Sequence, residues 1–307
     1  MTRERVPALE WWLPPLAQFS ADGGVRRSLL RADRMEPGAA SYLACVAEHF
    51  TGVGASLPTG ALTREIIAHD AGDALWLAAD PAWARPDING VRLMACGHLQ
   101  LDMAEAQALA APLLELFAEA GMQLLVSAPD RWHLRLPAGT VLPEFSTPKQ
   151  AMGEDLSQHV PPGPEGRRWR LLVNEAQVLL HQNPLNRTRL SSRLPPVNTL
   201  WLWGGGRLPE HVQTRLQGIV TDDLVLGALA AQAGIPALAR DVADVSGAGP
   251  GWLVDLQDAP AAEVDTRWWP LLASLLAGQA VLIRCAGGER WLHRPWHRWR
   301  FWRGSGP

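Results

Sequence analysis

The sequence predicts an α/β protein with a mixed sheet flanked by helices. Three observations carry this. Short apolar runs of strand length, at 75–79, 200–203 and 281–285, alternate with stretches of helical apolar period. Residues 170–206 join an amphipathic helix, a polar Asn/Arg stretch, an apolar strand and three glycines. The balance of 47% hydrophobic to 19% charged residues is that of a chain with enough apolar matter for a core.

At 307 residues the chain can bury one large core or two modest ones. A net charge of −3 gives no general attraction to nucleic acid or anionic membrane, so neither is an expected partner. Cys45, Cys96 and Cys285 are isolated, which argues against a disulfide framework or a zinc site and for a reducing cytoplasm. Pro7, Pro14 and Pro15 interrupt the N-terminal apolar stretch, so it does not read as a signal peptide. No run approaches the ~18 apolar residues of a membrane span.

In chain order, Trp11 and Trp12 read as core anchors, and helices are expected at 25–34 and 38–50, the latter on Tyr42, Val46 and Phe50. Thr63 to His69 reads as a helical turn capped by Thr63. Strands follow at 75–79 and 91–95, joined by a loop carrying Asp80, Arg85 and Asp87 and the turn signal Asn89-Gly90. Residues 102–120 are the clearest helix of the first half. Asp102 and Glu105 form a capping box, and Pro112 is expected to kink or divide the helix. In the strand at 131–136, Trp132, Leu134 and Leu136 should face the core, with Arg131, His133 and Arg135 on a cationic face. Six prolines between 137 and 164 mark a connector. The expected division is an N-terminal α/β subdomain, 1–145, a connector, 146–166, and a C-terminal α/β subdomain, 167–307.

The helix at 166–182 has a core face of Trp169, Leu172, Val173, Ala176, Leu179 and Leu180. Asn174, Gln177 and His181 form a second stripe, whose neutral amides suggest a semi-buried hydrogen-bonding surface. Pro184 ends the helix, and a loop with Asn183, Asn186, Arg187, Arg189 and Arg193 leads to the strand at 200–203 and a glycine turn at 204–206. A glycine turn after a strand allows close approach of a ligand, but it matches no nucleotide-binding pattern. A helix at 221–233 capped by Thr221, strands at 235–239 and 252–256, a helix at 266–276 and a terminal hairpin through Gly287-Gly288 complete the chain. In the tail, Trp291, Trp296, Trp299 and Trp302 alternate with arginines. They read as an edge strand covering the core, or as a surface for a protein partner.

No metalloprotease, serine-hydrolase, P-loop or EF-hand pattern is present, and the nine histidines are scattered. No catalytic residue, metal ligand or cofactor is assigned. As a ligand site, Asn174, His181, Asn186, Arg189 and Asn198 are expected to frame a small polar pocket closed by Gly204, Gly205 and Gly206. Arg189 would pair a small anion there. The competing reading is that these amides only satisfy loop backbone groups.

The pattern N-E-x-Q-x-L-L-H-x-x-P-x-N-x-x-R, then P-x-N-x-L-W-x-W-G-G-G, resembles the proteobacterial RpfE-type regulatory proteins. It is also similar to the archaeal-type cofactor-independent phosphoglycerate mutases. Pro184, Asn186, Arg189, Pro196, Asn198, Gly204 and Gly206 match the mutase pattern. Trp203 and Leu194 stand where the mutases carry arginine and lysine, and Asn183 replaces a histidine. Arg187 or Arg193 could supply the missing charge. The metal-binding aspartate motif and the phosphorylated serine have no match. The resemblance therefore implies an alkaline-phosphatase/phosphoglycerate-mutase-like fold in degenerate form, with a regulatory or anion-binding role. The alternative is a metal-dependent phosphomutase or phosphatase with displaced ligands.

Overall fold

The computed structural model describes residues 7–54, 56–88 and 90–300. Its strands are β1 (Leu9–Leu13), β2 (Asp33–Arg34), β3 (Phe50–Thr51), β4 (Leu75–Asp87), β5 (Gly90–Cys96), β6 (Gln123–Ala128), β7 (Arg131–Leu136), β8 (Thr199–Gly206), β9 (Gln213–Thr214), β10 (Gly218–Val220), β11 (Ala237–Leu238), β12 (Trp252–Asp255), β13 (Val281–Cys285) and β14 (Arg290–His293). The helices are α1 (Gly24–Leu29), α2 (Tyr42–His49), α3 (Thr59–Ala68), α4 (Met103–Glu119), α5 (Pro148–Ala151), α6 (Gly163–Gln182), α7 (Pro184–Ser191), α8 (Leu224–Gln232), α9 (Val242–Gly247), α10 (Ala261–Glu263) and α11 (Trp269–Leu275). The predicted class holds: mixed sheets flanked by helices. Among the described residues no helix is long and apolar enough to cross a membrane.

The chain divides into two compact units, Met1–Val53 with Glu210–Pro307, and Gly54–Pro209. The Pro-rich segment 146–166 thus lies inside the second unit and not at a boundary. Its prolines separate short structured turns, α5 and a 3-10 turn at Leu156–Gln158, capped by Thr147 and Asp155.

The first unit holds a seven-stranded sheet in the order β11-β10-β12-β1-β13-β14-β2. The run from β11 to β13 is parallel, and β14 is antiparallel to both its neighbours. All of β1 is buried, which is why Leu-Glu-Trp-Trp-Leu has no clean alternation to read from sequence. Below one face Trp11, Trp268, Trp269, Leu272 and Ile283 form the core. The expected hairpin of β13 and β14 is present. After β14 the chain turns into a short 3-10 helix, Pro295–Trp299, and does not continue as an edge strand. Trp302 lies outside the described residues, as does Asn89. The helix after β10 is capped by Asp223, which accepts from Leu226 N, and not by Thr221, whose hydroxyl donates to Asp255 and accepts from Asp223 N just before the helix.

The second unit is built on β4. One edge pairs with β8, and the other pairs with β7 and then β5, all antiparallel. The expected loop at 80–87 is therefore strand, and Asp80 is buried in it, paired with Arg131 at 2.6 Å. The register shift at Trp83/Ala84 is bridged by Asn198, whose side chain accepts from Ala84 N and donates to Ala84 O. Helices α4 and α6 cover the core of Leu109, Phe117, Trp132, Leu134, Trp169 and Leu202.

The capping box of α4 is present, and the helix runs as one element through Pro112. The carbonyl that a proline at 112 leaves without its helical partner belongs to Ala108, and Asn183 Nδ2 donates to it at 3.3 Å. Helix α3 begins at Thr59, not Thr63. Thr63 sits inside it and donates back to Thr59 O. His133 is not on an exposed cationic face: it is fully buried against α3, between Thr63 and Ser127.

Candidate functional site

Residues 183–198 were expected as a loop, and half of them form helix α7. Asn183 caps it by accepting from Leu185 N, and Pro184 occupies the first turn, where its missing N–H costs nothing. This winding aims Asn186 and Arg189 inward. Asn186 accepts from Val197 N and donates to Leu180 O and Val197 O, each at 2.8 Å. Arg189, whose side chain is 1% exposed, donates to Pro195 O and Leu99 O and pairs with Glu105 at 3.0 Å. The polar groups of Asn186 and Arg189 thus bond backbone and one carboxylate.

Gly204 to Gly206 extend β8 and make no open turn. A Cβ on Gly204 would lie 2.5 Å from Thr59 Cβ, and one on Gly206 would lie 2.6 Å from Pro58 Cβ. The glycines let the start of α3 lie directly on the strand, so protein fills the space a ligand would need.

The structure does bring part of the predicted set together. Asn174, His181 and Asn198 line one cavity of about 440 Å³, with Gln177, Val178 and Val91. Next to it lies a cavity of about 430 Å³ between α6, β8 and residues 155–161. The two share Val91, Asn174 and Gln177. Trp169 and Trp201 wall the cavity of about 430 Å³. Gln177 Nε2 donates to Thr199 Oγ1 at 3.0 Å. Arg187 is exposed on α7 and borders neither cavity. Periodicity places Trp169 in the core, and only the fold shows that its edge also faces a void.

A second polar cluster lies at the carboxyl ends of β10 and β12, where parallel sheets usually carry their ligands. The Thr221 hydroxyl donates to Asp255 at 2.9 Å. Asp223 accepts from the Tyr42 hydroxyl and from Leu226 N, both at 2.8 Å. The Arg240 guanidinium pairs with Asp258 and lies 3.8 Å from both Asp222 and Asp255. Burial pushes the Asp255 carboxyl up to about 6, against the pull of Arg240. The helix expected at 221–233 takes in Asp222 and Asp223, while Arg240 and Asp255 lie beyond it in the chain and carry no local signal.

Metal would need several acidic or imidazole ligands around one point. Among the described residues no group of three or more His, Cys, Asp or Glu could hold an ion. The convergent aspartates face a guanidinium instead, and this donor set does not fit a metal centre.

No family model matches the chain. A stretch of 63 residues is 39% identical to a 2,3-bisphosphoglycerate-independent phosphoglycerate mutase of Methanothrix thermoacetophila, covering 20% of this chain and 16% of the mutase. Over 94 residues the chain is 35% identical to a probable mutase of the same kind from Geobacter sulfurreducens, covering 29% of this chain and 23% of that protein. The matched stretches thus span less than a quarter of these relatives' length. Among solved structures, a cofactor-independent phosphoglycerate mutase of Thermoplasma acidophilum aligns over 94% of this chain and 89% of its own, at 12% identity and a TM-score of 0.39. A Pyrococcus horikoshii protein aligns over 94% of this chain and 87% of its own, at 11% identity and a TM-score of 0.49.

Proposed function

We propose that this chain is a non-catalytic binding protein related to the phosphoglycerate mutases, with a regulatory role. One observation carries the reading: at the carboxyl edge of the seven-stranded sheet, Asp222, Asp255 and Asp258 gather around Arg240. A guanidinium is always charged and always attached, so the cation these carboxylates face is part of the chain and offers no open coordination site. The local similarity to mutases supports the kinship. The resemblance of residues 174–206 to RpfE-type proteins supports the regulatory role.

The alternative, a metal-dependent phosphomutase or phosphatase, draws on the same cluster, since a buried carboxyl with a raised pKa is a common feature of active sites. Phosphoglycerate mutase assay of the purified chain with manganese, alongside elemental analysis, separates the two. The expected result is no interconversion and no stoichiometric metal. Turnover that Asp255→Asn abolishes would overturn the reading.

A further inference from the structure

We propose that the two adjoining cavities along α6 form one binding channel for an elongated, uncharged small molecule. Its aromatic or acyl body would fill the space walled by Trp169 and Trp201, with an amide or hydroxyl group at Asn174 and Gln177. The proposal names the ligand class for the binding-protein reading and rests on it.

Size fits first. The cavities measure about 430 and 440 Å³ and share Val91, Asn174 and Gln177. Each lies within the roughly 300–1,000 Å³ typical of small-molecule sites. Such sites pair a mostly apolar lining with a few polar groups that fix orientation. Here Phe145, Trp169, Leu156 and Trp201 supply the apolar wall. Val91, Val160 and Val178, all lining residues, are 39%, 37% and 56% exposed, so an apolar occupant would take further apolar surface out of water.

Charge then narrows the class. Three charged or titratable side chains border the first cavity, and each has a protein partner. Asp155 accepts from Ser157 N at 3.0 Å. His159 pairs with Glu154 at 3.0 Å. Arg170 donates to Pro161 O and Gly163 O. No Asp, Glu, Lys or Arg lines the second cavity. Asp155 and Arg170 bond neutral groups but are of opposite sign, so the lining carries no excess charge of either sign to offset the dehydration of an ionic ligand, a cost that a neutral one avoids.

Hydrogen bonding supplies the orientation. Gln177 uses its Nε2 on Thr199 and keeps its carbonyl oxygen. No side-chain hydrogen bond among the described residues engages the Asn174 amide. These two amides stand at the junction of the cavities, where they can accept from and donate to one polar group of a ligand.

The test compares two fluorescent probes of one scaffold, neutral N-phenylnaphthylamine and anionic anilinonaphthalene sulfonate, titrated into the full chain. The neutral probe should bind saturably and at least tenfold more tightly. Val160→Trp, which fills the first cavity, and Val178→Glu, which charges the second, should each weaken it tenfold or more. Leu190→Glu, on exposed α7, should not. Urea midpoints of the variants confirm that they are folded; because Val178 is exposed, the second variant preserves the test if the first does not fold. Absent saturable binding, equal or tighter binding of the sulfonate, or unchanged affinity in a folded cavity variant would each overturn the proposal. The mutase assay reads independently: turnover with probe binding retained sinks only the non-catalytic reading, and no turnover without probe binding sinks only the ligand class.

Discussion

Arg189 holds three segments at once, joining α7 to Leu99, Glu105 and Pro195. Arg189→Ala takes this donor from two carbonyls and leaves Glu105 without its cation, and breaking a buried pair costs about 3–5 kcal/mol. Urea unfolding should show that loss, and Arg189→Lys should restore only part of it, because an ammonium lacks the fork that spans all three acceptors. The residue types were legible from sequence; their targets were not. An arginine that binds an anion and one that ties down carbonyls have the same neighbours in the chain. His133 makes a second case. Burial pushes its imidazole down to about 3 from an ordinary 6.5, with Arg131 and Arg64 adding to the effect. Between these values the unfolded chain binds a proton that the folded chain does not. Stability from this group is therefore complete above pH 6.5 and falls as the pH drops toward 3. His133→Gln should flatten the stability curve over that range by up to about 1.4 kcal/mol per pH unit.

Among the elements, the seam between α3 and the strands beneath it tolerates least change. A Cβ on Gly60 would meet Ala78 N at 2.8 Å and Leu77 C at 2.8 Å, both backbone atoms that cannot swing aside. Gly60→Ala should lower stability by about 1–3 kcal/mol through overpacking, measured as a fall in the urea midpoint. Helices 102–120 and 166–182 were legible because their apolar stripes and caps are local signals. The strand at 80–87 was not, because Pro81, Pro86 and two aspartates read as a turn. Pairing with β5 and β8, and the Asn198 bridge at the register shift, overrides that local chemistry. Helix α7 was hidden for a related reason: Asn183-Pro184 ends one helix and caps the next in the same step.

At the scale of the whole molecule, the first unit is assembled from both ends of the chain around an inserted second unit. Sequence reading divided the chain at its densest prolines, since a discontinuous unit leaves no mark in composition. The mixed sheet itself was legible, through apolar runs separated by helical periods. The position of β1 was not, because its neighbours β12 and β13 come from the other end of the chain. That placement sets an order on biosynthesis. The second unit can close on the ribosome as soon as residue 209 has emerged. Strand β1, made near the beginning, must remain unpartnered until β12 and β13 are translated. For most of translation the nascent chain carries an apolar Leu-Glu-Trp-Trp-Leu segment that another unfinished copy could capture. Recovery of soluble protein should therefore depend on synthesis rate and chaperone supply more than on the stability of the finished fold.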